Sequence, residues 1–284
     1  MERSMTKDNP EIGKSVPTGA YLTNYHDTGE VAGVDACPLL LVHGSGPGVS
    51  AWANWRGCIP ILAERRRIVA PDMAGFGFTE RLPGQVYDRA IWCRQLLDLM
   101  TALKVDKIDI VGNSFGGAIG LAFAIAHPDR VRRLVLMGSA GVSFPITPGL
   151  DAVWGYEPSL ETMKGLLNIF AFDRALVTDE LAELRYRSSI QPGFQESFSA
   201  MFPAPRQRWV DALASDEQLI GQLPHRALVI HGRDDKIIPL AASLRLHELL
   251  ANSDLHLFAR CGHWTQIERT SEFCALVQAF LAAD

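Results

Sequence analysis

Three residues of this sequence, taken in order along the chain, could together carry out nucleophilic catalysis. Ser114 is enclosed by glycines in the string Gly-Asn-Ser-Phe-Gly at 112–116, between a short β-branched run and a small-residue pattern typical of a helix. A serine on such a sharp strand-to-helix turn needs small neighbours, because the backbone there is strained and crowded. Its hydroxyl attacks only when a base removes its proton and a third group orients that base. Asp235 and His263 follow in the required order, and the sequence therefore predicts a catalytic triad.

The acid and the histidine each follow a predicted strand. Asp235 ends the string His-Gly-Arg-Asp-Asp, and His263 lies in the string Cys-Gly-His-Trp. Asp234 is the alternative acid, but we expect it to cap or brace the turn through backbone hydrogen bonds. Asp72, after an earlier strand, is a weaker alternative and is expected to be a turn residue. The sequence thus favours Asp235.

Acyl-transfer chemistry also requires N–H donors where negative charge develops. One donor is predicted to be the backbone amide of Phe115, directly after the nucleophile. The other is predicted to be the amide of Ser45, in the glycine-rich string His-Gly-Ser-Gly-Pro-Gly at 43–48. A phosphate-binding loop is disfavoured, because the Gly-Lys-Ser/Thr ending is absent.

The elements that must position these residues alternate between strand and helix from about residue 37 onward. This alternation indicates a mostly parallel sheet with helices on both faces. An antiparallel hairpin at the sheet edge is predicted from 20–26 and 30–34, which brings the total to eight strands. The other predicted strands are 39–42, 67–70, 108–111, 133–137, 227–230 and 255–258, and the clearest helices are 91–103, 241–250 and 271–281.

The alternation stops over a stretch rich in aromatic residues and helix-like patterns. An insertion of this kind, placed after a strand and before the sheet resumes, is typical of a lid over a pocket. We therefore predict a core formed by 1–142 and 210–284, with a helical cap at 143–209.

Composition excludes several classes of protein. A net charge of −5 over 284 residues argues against nucleic acid or an anionic membrane as the main partner. We expect neither a secretory signal nor a transmembrane helix, because the first twenty residues are polar and no run of about 18 apolar residues occurs. The five cysteines are scattered and the histidines lack metal-binding spacing, so we expect reduced thiols, a cytoplasmic protein and no metal.

The motifs also resemble those of a known family, the meta-cleavage product hydrolases of aromatic degradation, which have the α/β-hydrolase fold. The similarity runs from about residue 20 to the C-terminus and is greatest to the 2-hydroxymuconic semialdehyde hydrolase branch. The segments that carry it are 43–54, 112–117, 153–156, 184–186, 191–197 and 261–264.

The resemblance implies hydrolysis of the C5–C6 bond of 2-hydroxy-6-oxohexa-2,4-dienoates, with no cofactor. The products would be 2-hydroxypenta-2,4-dienoate and a small carboxylic acid. In this reaction Ser114 would attack C6, His263 would transfer protons and Asp235 would orient the imidazole. Sequence does not decide between an acyl-enzyme and a gem-diol route, or whether C6 carries hydrogen, methyl or ethyl. The resemblance further implies a homo-oligomer.

The same resemblance implies a binding site for the substrate carboxylate. Arg185 matches the position that holds it, and a guanidinium suits bidentate recognition. Asn54 and Asn113 could bond the carboxylate or the 2-oxygen, and Trp264 could form a wall beside the base. The main alternative function is a carboxylester hydrolase with the same triad, which would have no use for such a site. A dehalogenase would need Asp at 114, and the complete triad argues against a non-catalytic receptor.

Overall fold

The computed structural model describes residues 9–33 and 36–282, which form one eight-stranded sheet with helices on both faces. The strand order is β1-β2-β4-β3-β5-β6-β7-β8, and β1 and β2 are antiparallel to their neighbours while β3 to β8 are parallel. The strands are β1 Lys14–Thr18, β2 Tyr21–Asp27, β3 Leu39–Val42, β4 Ile68–Pro71, β5 Ile108–Asn113, β6 Val131–Met137, β7 Arg226–Gly232 and β8 Ser253–Phe258. The predicted fold class is confirmed.

Most helices follow the strand that positions them. The clearest predicted helices are observed as α3, α11 and α13, each within two residues of the expected limits. The helices are α1 Ala51–Trp55, α2 Ile59–Leu62, α3 Arg89–Ala102, α4 Phe115–Ala126, α5 Pro148–Trp154, α6 Leu160–Phe170, α7 Asp179–Ser189, α8 Phe194–Met201, α9 Gln207–Leu213, α10 Glu217–Gly221, α11 Leu240–Leu249, α12 Thr265–Glu268 and α13 Thr270–Ala282, with 3-10 helices at Pro128–Arg130 and Arg174–Leu176. No helix in the described part of the chain is long and apolar enough to cross a membrane.

Alternate residues of the central strands enter two separate cores. Leu40 of β3 packs in the cluster that contains α3 and α4, whereas Leu41 packs with Trp55 and Phe273 on the opposite face. Both leucines are fully buried. Because successive side chains of a strand point to opposite faces, a sheet covered on both sides needs apolar residues at every position. This explains the continuous apolar runs of the sequence.

The predicted edge hairpin is wrong in its second strand. The segment 20–26 is observed as β2, but its hairpin partner is β1, which precedes it. Residues 30–33 form no strand, and residue 34 lies outside the described residues. The other edge of β2 is already paired with β4, so a strand after Asp27 has no free edge to join. Gly19, with φ of +60°, makes the tight turn between β1 and β2.

The segment between β6 and β7 contains the predicted lid. We use the name cap for its helices α5 to α8. The predicted cap limits of 143–209 include these helices and end inside α9, which contacts α4 of the core. The division of the chain at these limits stays a prediction.

Candidate active site

Ser114 occupies a strained turn between β5 and α4. Its φ of 55° and ψ of −115° are unusual for a residue with a side chain, and such a conformation costs about 1–3 kcal/mol. The turn is held by the Ser114 N–H, which donates to the Met137 carbonyl at 2.9 Å. A Cβ at Gly116 would lie 2.2 Å from the Val42 carbonyl oxygen. Because β3 approaches so closely, only glycine fits at position 116.

His263 and Asp235 form a buried hydrogen-bonded pair. The Nδ1–H of His263 donates to Asp235 Oδ2 at 2.7 Å, and the two side chains are 3% and 1% exposed. The other oxygen, Oδ1, accepts from the N–H groups of Ile237 and Ile238 at 2.7 and 3.0 Å. Because a carboxylate only accepts, these bonds assign the proton of the neutral imidazole to Nδ1 and leave Nε2 as a base.

Neither alternative acid has these contacts. The Asp234 backbone N–H braces the turn by donating to the Cys261 carbonyl at 2.9 Å, but its carboxylate Oδ2 is buried without a hydrogen-bond partner in the described structure. The carboxylate that braces the turn is that of Asp235. Asp72 is a turn residue, as expected. Its carboxylate accepts from the Ala51 N–H at 2.6 Å, the Phe78 N–H at 2.7 Å and a side-chain amide.

A second histidine, which sequence reasoning did not single out, lies beside the acid. His231 is fully buried, and its Nε2 is 3.6 Å from Asp235 Oδ2. Its Nε2–H donates to the Ile238 carbonyl at 3.2 Å, while Nδ1 accepts from the Ser243 hydroxyl at 2.7 Å. Burial lowers the pKa of His231, and the imidazole is therefore neutral. Its position four residues before Asp235 was the available sequence signal.

The glycine-rich loop after β3 approaches the serine turn closely. A Cβ at Gly44 would lie 2.9 Å from Asn113 Oδ1 and 3.5 Å from Ser114 Cβ. The loop is anchored by buried His43, whose Nδ1–H donates to the Gly44 carbonyl at 2.7 Å. Burial lowers the pKa of His43 to about 4, so it is neutral and its Nε2 accepts from a backbone N–H. Ser45 is held by the cap, because its hydroxyl accepts from Trp154 Nε1 at 3.0 Å.

Phe115 presents the other expected donor. It is the first residue of α4, and the first N–H groups of a helix have no acceptor inside the helix. Its side chain is buried against Trp92, with ring centroids 4.6 Å apart. The backbone amide is therefore held in place next to the serine.

A cavity of about 340 Å³ lies between the core loops and the cap. The cap contributes an apolar wall from α5 and α6. All the predicted site residues except Asp235 and Phe115 line this cavity, namely Ser45, Asn54, Asn113, Ser114, Arg185, His263 and Trp264. The fold thus brings together residues that are up to about 220 positions apart in sequence.

Comparison with known proteins identifies the family. Residues 38–270 match the family model of the α/β hydrolase fold. The chain is 60% identical over 276 residues to the 2-hydroxymuconate semialdehyde hydrolase of Pseudomonas sp. strain CF600, with 97% of this chain and 96% of the relative covered. The chain belongs to the meta-cleavage product hydrolases. The resemblance seen in the motifs is confirmed.

Two further similarities agree with this assignment. The hydrolase is 59% identical over 280 residues to the 2-hydroxy-6-oxo-2,4-heptadienoate hydrolase of Pseudomonas putida F1, with 99% and 100% of the two chains covered. It also superposes on a solved structure of the meta-cleavage product hydrolase from Pseudomonas fluorescens IP01, complexed with acetates. The TM-score is 0.93 at 57% identity, and 96% and 98% of the two chains are covered.

One part of the cavity of this hydrolase carries unsatisfied hydrogen-bond donors. Arg185 donates to the carbonyls of Pro47 and Gly48 at 3.3 and 2.9 Å, but no carboxylate pairs with it among the described residues. Burial lowers the pKa of Arg185, although a guanidinium stays charged in proteins. Asn54 Nδ2 is also buried without a partner in the described structure. These donors can receive an anionic group of a ligand.

Two charged residues of the cavity were missed by sequence reasoning. Glu11 and Arg56 both line the cavity that Arg185 also lines. No motif surrounds either residue, and their proximity to the cavity results from tertiary packing. Trp264, which was predicted, stacks on Phe170 of the cap with ring centroids 5.1 Å apart. Within the described residues no cluster of side chains has the geometry of a metal site.

Proposed function

We propose that this hydrolase cleaves the C5–C6 bond of 2-hydroxy-6-oxohexa-2,4-dienoates, including 2-hydroxymuconic semialdehyde and its 6-alkyl analogues. The products are 2-hydroxypenta-2,4-dienoate and a small carboxylic acid. One observation carries the proposal: a single cavity is lined by Ser114 and His263 and also by Arg185, a guanidinium without an acidic partner in the described structure. The names of the most similar relatives support the same substrate class.

The first requirement of the reaction is a carbon that can leave with an electron pair. The dienol must become a keto form, with the proton of the 2-hydroxyl removed and a proton added at C5. His263 carries these protons, because its Nε2 is the free base of the Asp235 pair. After this step, cleavage expels a vinylogous enolate in place of an unstabilised carbanion.

In the second stage Ser114 acts as the nucleophile. Its hydroxyl gives its proton to His263 Nε2 and attacks the C6 carbonyl, while the amides of Ser45 and Phe115 hold the oxyanion. Collapse of this intermediate breaks the C5–C6 bond and leaves an acyl group on the serine. The His263 imidazolium gives its proton to the 2-oxygen of the departing enolate, which completes 2-hydroxypenta-2,4-dienoate and restores the base. Water then gives a proton to His263 Nε2 and attacks the acyl group, and the serine oxygen takes that proton back as the carboxylic acid leaves.

Substrate orientation depends on the carboxylate site. Arg185 binds the substrate carboxylate, and Asn54 and Asn113 bond its oxygens or the 2-oxygen. Trp264 and the apolar cap residues enclose the diene. Holding the chain in this way places C6 beside the serine, and such positioning is a large part of rate acceleration.

We place the hydrolase in the cytoplasm because its five cysteines are free thiols, four of them buried. The homo-oligomer expected from the family stays a prediction.

The test is loss of the yellow dienolate absorbance on addition of purified hydrolase. We expect rapid bleaching with the wild type and none with Ser114→Ala. Arg185→Ala should raise KM for the dienoate by about 10- to 100-fold, since a charge-assisted pair contributes about 1.5–3 kcal/mol. Its KM for a neutral 4-nitrophenyl ester should change little.

Circular dichroism of both variants shows whether they are folded. Equal effects of Arg185→Ala on the dienoate and on the ester would exclude the carboxylate role and favour the carboxylester hydrolase. If the hydrolase bleaches none of the ring-fission products, the proposed function is wrong.

A further inference from the structure

Glu11 belongs to an N-terminal segment that forms part of the cavity wall. The segment has no regular structure at this point, but its backbone is fixed. The Glu11 carbonyl accepts from Asn24 Nδ2 at 3.0 Å and from His26 Nε2 at 3.3 Å. The side-chain carboxylate accepts from the hydroxyl of Ser50, which is fully buried at the start of α1. The negative charge is thus held in a defined place.

Glu11 shares this part of the cavity with Arg56 and Arg185. Neither guanidinium has a carboxylate within ion-pair distance among the described residues. Among the influences on Arg185, burial lowers its pKa and the charge of Glu11 is the main opposing effect that raises it. The geometry agrees with this influence. Arg185 donates to the Gly48 carbonyl and Glu11 accepts from the Ser50 hydroxyl, two residues further along the same loop, so both charges lie on one side of the cavity.

We infer that Glu11 is a specificity-determining residue, a fixed negative charge that opposes the substrate carboxylate at Arg185 and so weakens binding of the dienoate and of its product. The inference rests on the proposed function of Arg185. Both 2-hydroxy-6-oxohexa-2,4-dienoate and 2-hydroxypenta-2,4-dienoate carry the same carboxylate. When either is bound, its carboxylate and that of Glu11 are both attracted to the Arg185 guanidinium. Like charges on one partly desolvated cavity repel each other. The product keeps this carboxylate after cleavage. The repulsion weakens product binding and so speeds product release.

The experiment measures dissociation constants on an inert background. Dienolate and 2-hydroxypenta-2,4-dienoate are titrated into Ser114→Ala and into Ser114→Ala/Glu11→Gln, with absorbance as the readout. We expect Glu11→Gln to tighten binding of both anions by roughly three- to tenfold, because it removes a partly screened repulsion. In otherwise wild-type protein, the same change should lower KM and the product inhibition constant.

A gain of affinity separates this role from a structural one, because a damaged cavity binds less well. The side chain introduced by Glu11→Gln keeps an oxygen that can accept from Ser50, so the segment stays anchored. Glu180→Gln is the matched control, since Glu180 is an exposed carboxylate on α7, the helix of Arg185, and does not line the cavity. It should leave both constants unchanged. The effect of Glu11→Gln should also shrink at high salt.

Two further variants separate failure of the inference from failure of the proposed function. In an Arg185→Ala background Glu11→Gln should still tighten binding of the dienolate, because Glu11 repels the substrate carboxylate directly. If Arg185→Ala weakens dienoate binding but Glu11→Gln leaves it equal or weaker, the inference is wrong and the proposed function stands. If Arg185→Ala leaves dienoate binding unchanged, the proposed carboxylate site itself is wrong.

Discussion

Asp235 divides its two carboxylate oxygens between two tasks. Oδ1 accepts from the N–H groups of Ile237 and Ile238, which fixes the turn after β7. Oδ2 accepts from His263 Nδ1–H and lies 3.6 Å from His231 Nε2. The neighbouring Asp234 shares neither contact. At this scale the local motif was sufficient to single out Asp235, whose role as the acid stays a prediction, whereas the contact of His231 with it was recognised only in three dimensions.

Asp235→Asn should lower kcat by about 10³- to 10⁴-fold, whereas Asp234→Asn should change it by only a few-fold. An asparagine that keeps its oxygen on the two backbone amides must turn its NH₂ toward His263. That imidazole then has to present a lone pair at Nδ1, which places the proton on Nε2 and removes the base. Steady-state kinetics of dienolate cleavage provide the measurement. The reverse order of the two effects would reassign the acid to Asp234.

Among the elements, the loop after β3 shows how a neutral histidine can hold a site. His43 connects the loop to the turn after β4, because its Nε2 accepts from the Met73 N–H at 2.9 Å. This bond exists only while the imidazole is neutral. The glycine pattern predicted the loop and Ser45, but neither this anchor nor the bond from Trp154 could be inferred from local sequence.

The bond between His43 and the Met73 N–H should make the free energy of unfolding depend on pH. Burial lowers the pKa of His43 from 6.5 to about 4. Between these values the unfolded chain binds a proton that the folded protein does not, and the free energy of unfolding therefore falls as the pH falls. The contribution of His43 is about 3 kcal/mol over this window. In urea titrations between pH 4 and pH 8, His43→Gln should show a shallower decline than the wild type.

Other groups contribute equally to both proteins: burial also lowers the pKa values of His26 and His231, which adds to the decline, and raises the pKa of Asp72 to about 7, which opposes it. The glutamine introduced by His43→Gln can still accept from the Met73 N–H, so the comparison concerns the slope and not the stability at neutral pH. Parallel curves for the two proteins would show that His43 does not carry the effect.

Most strands and the longer helices were predictable because their signal is local. Continuous apolar runs indicate strands buried on both faces, and strict spacing indicates the helices around them. The edge hairpin failed for a different reason. Asp27-Thr28-Gly29 reads as a turn, yet the Asp27 carboxylate is paired with Arg67, forty residues away in sequence, and β2 continues into a pairing with β4. The places of Glu11 and Arg56 in the cavity wall were not predicted for the same reason, because they depend on contacts between residues far apart in sequence.

At the scale of the whole molecule, Glu268 joins the cap to the loop that contains His263. Its Oε1 accepts from the Gly262 N–H at 2.8 Å, next to His263. Its Oε2 accepts from the N–H groups of Phe172 and Asp173, which follow α6 of the cap, at 2.9 Å each. The His263 N–H adds a direct bond to the Phe170 carbonyl at 2.8 Å. The position of His263 and the position of the cap are therefore coupled.

Glu268→Ala should loosen both elements at once. It removes an ionised acceptor from three backbone N–H groups, and we expect a loss of about 2–4 kcal/mol in the free energy of unfolding, with a lower kcat/KM. Hydrogen exchange should accelerate at the amides of Gly262, Phe172 and Asp173. The matched control is Glu272→Ala, which breaks an exposed pair with Arg269 at 3.6 Å and should cost less than about 1 kcal/mol. Unchanged exchange at the cap amides in Glu268→Ala would mean that the cap is held to the core by its apolar contacts, independently of the histidine loop.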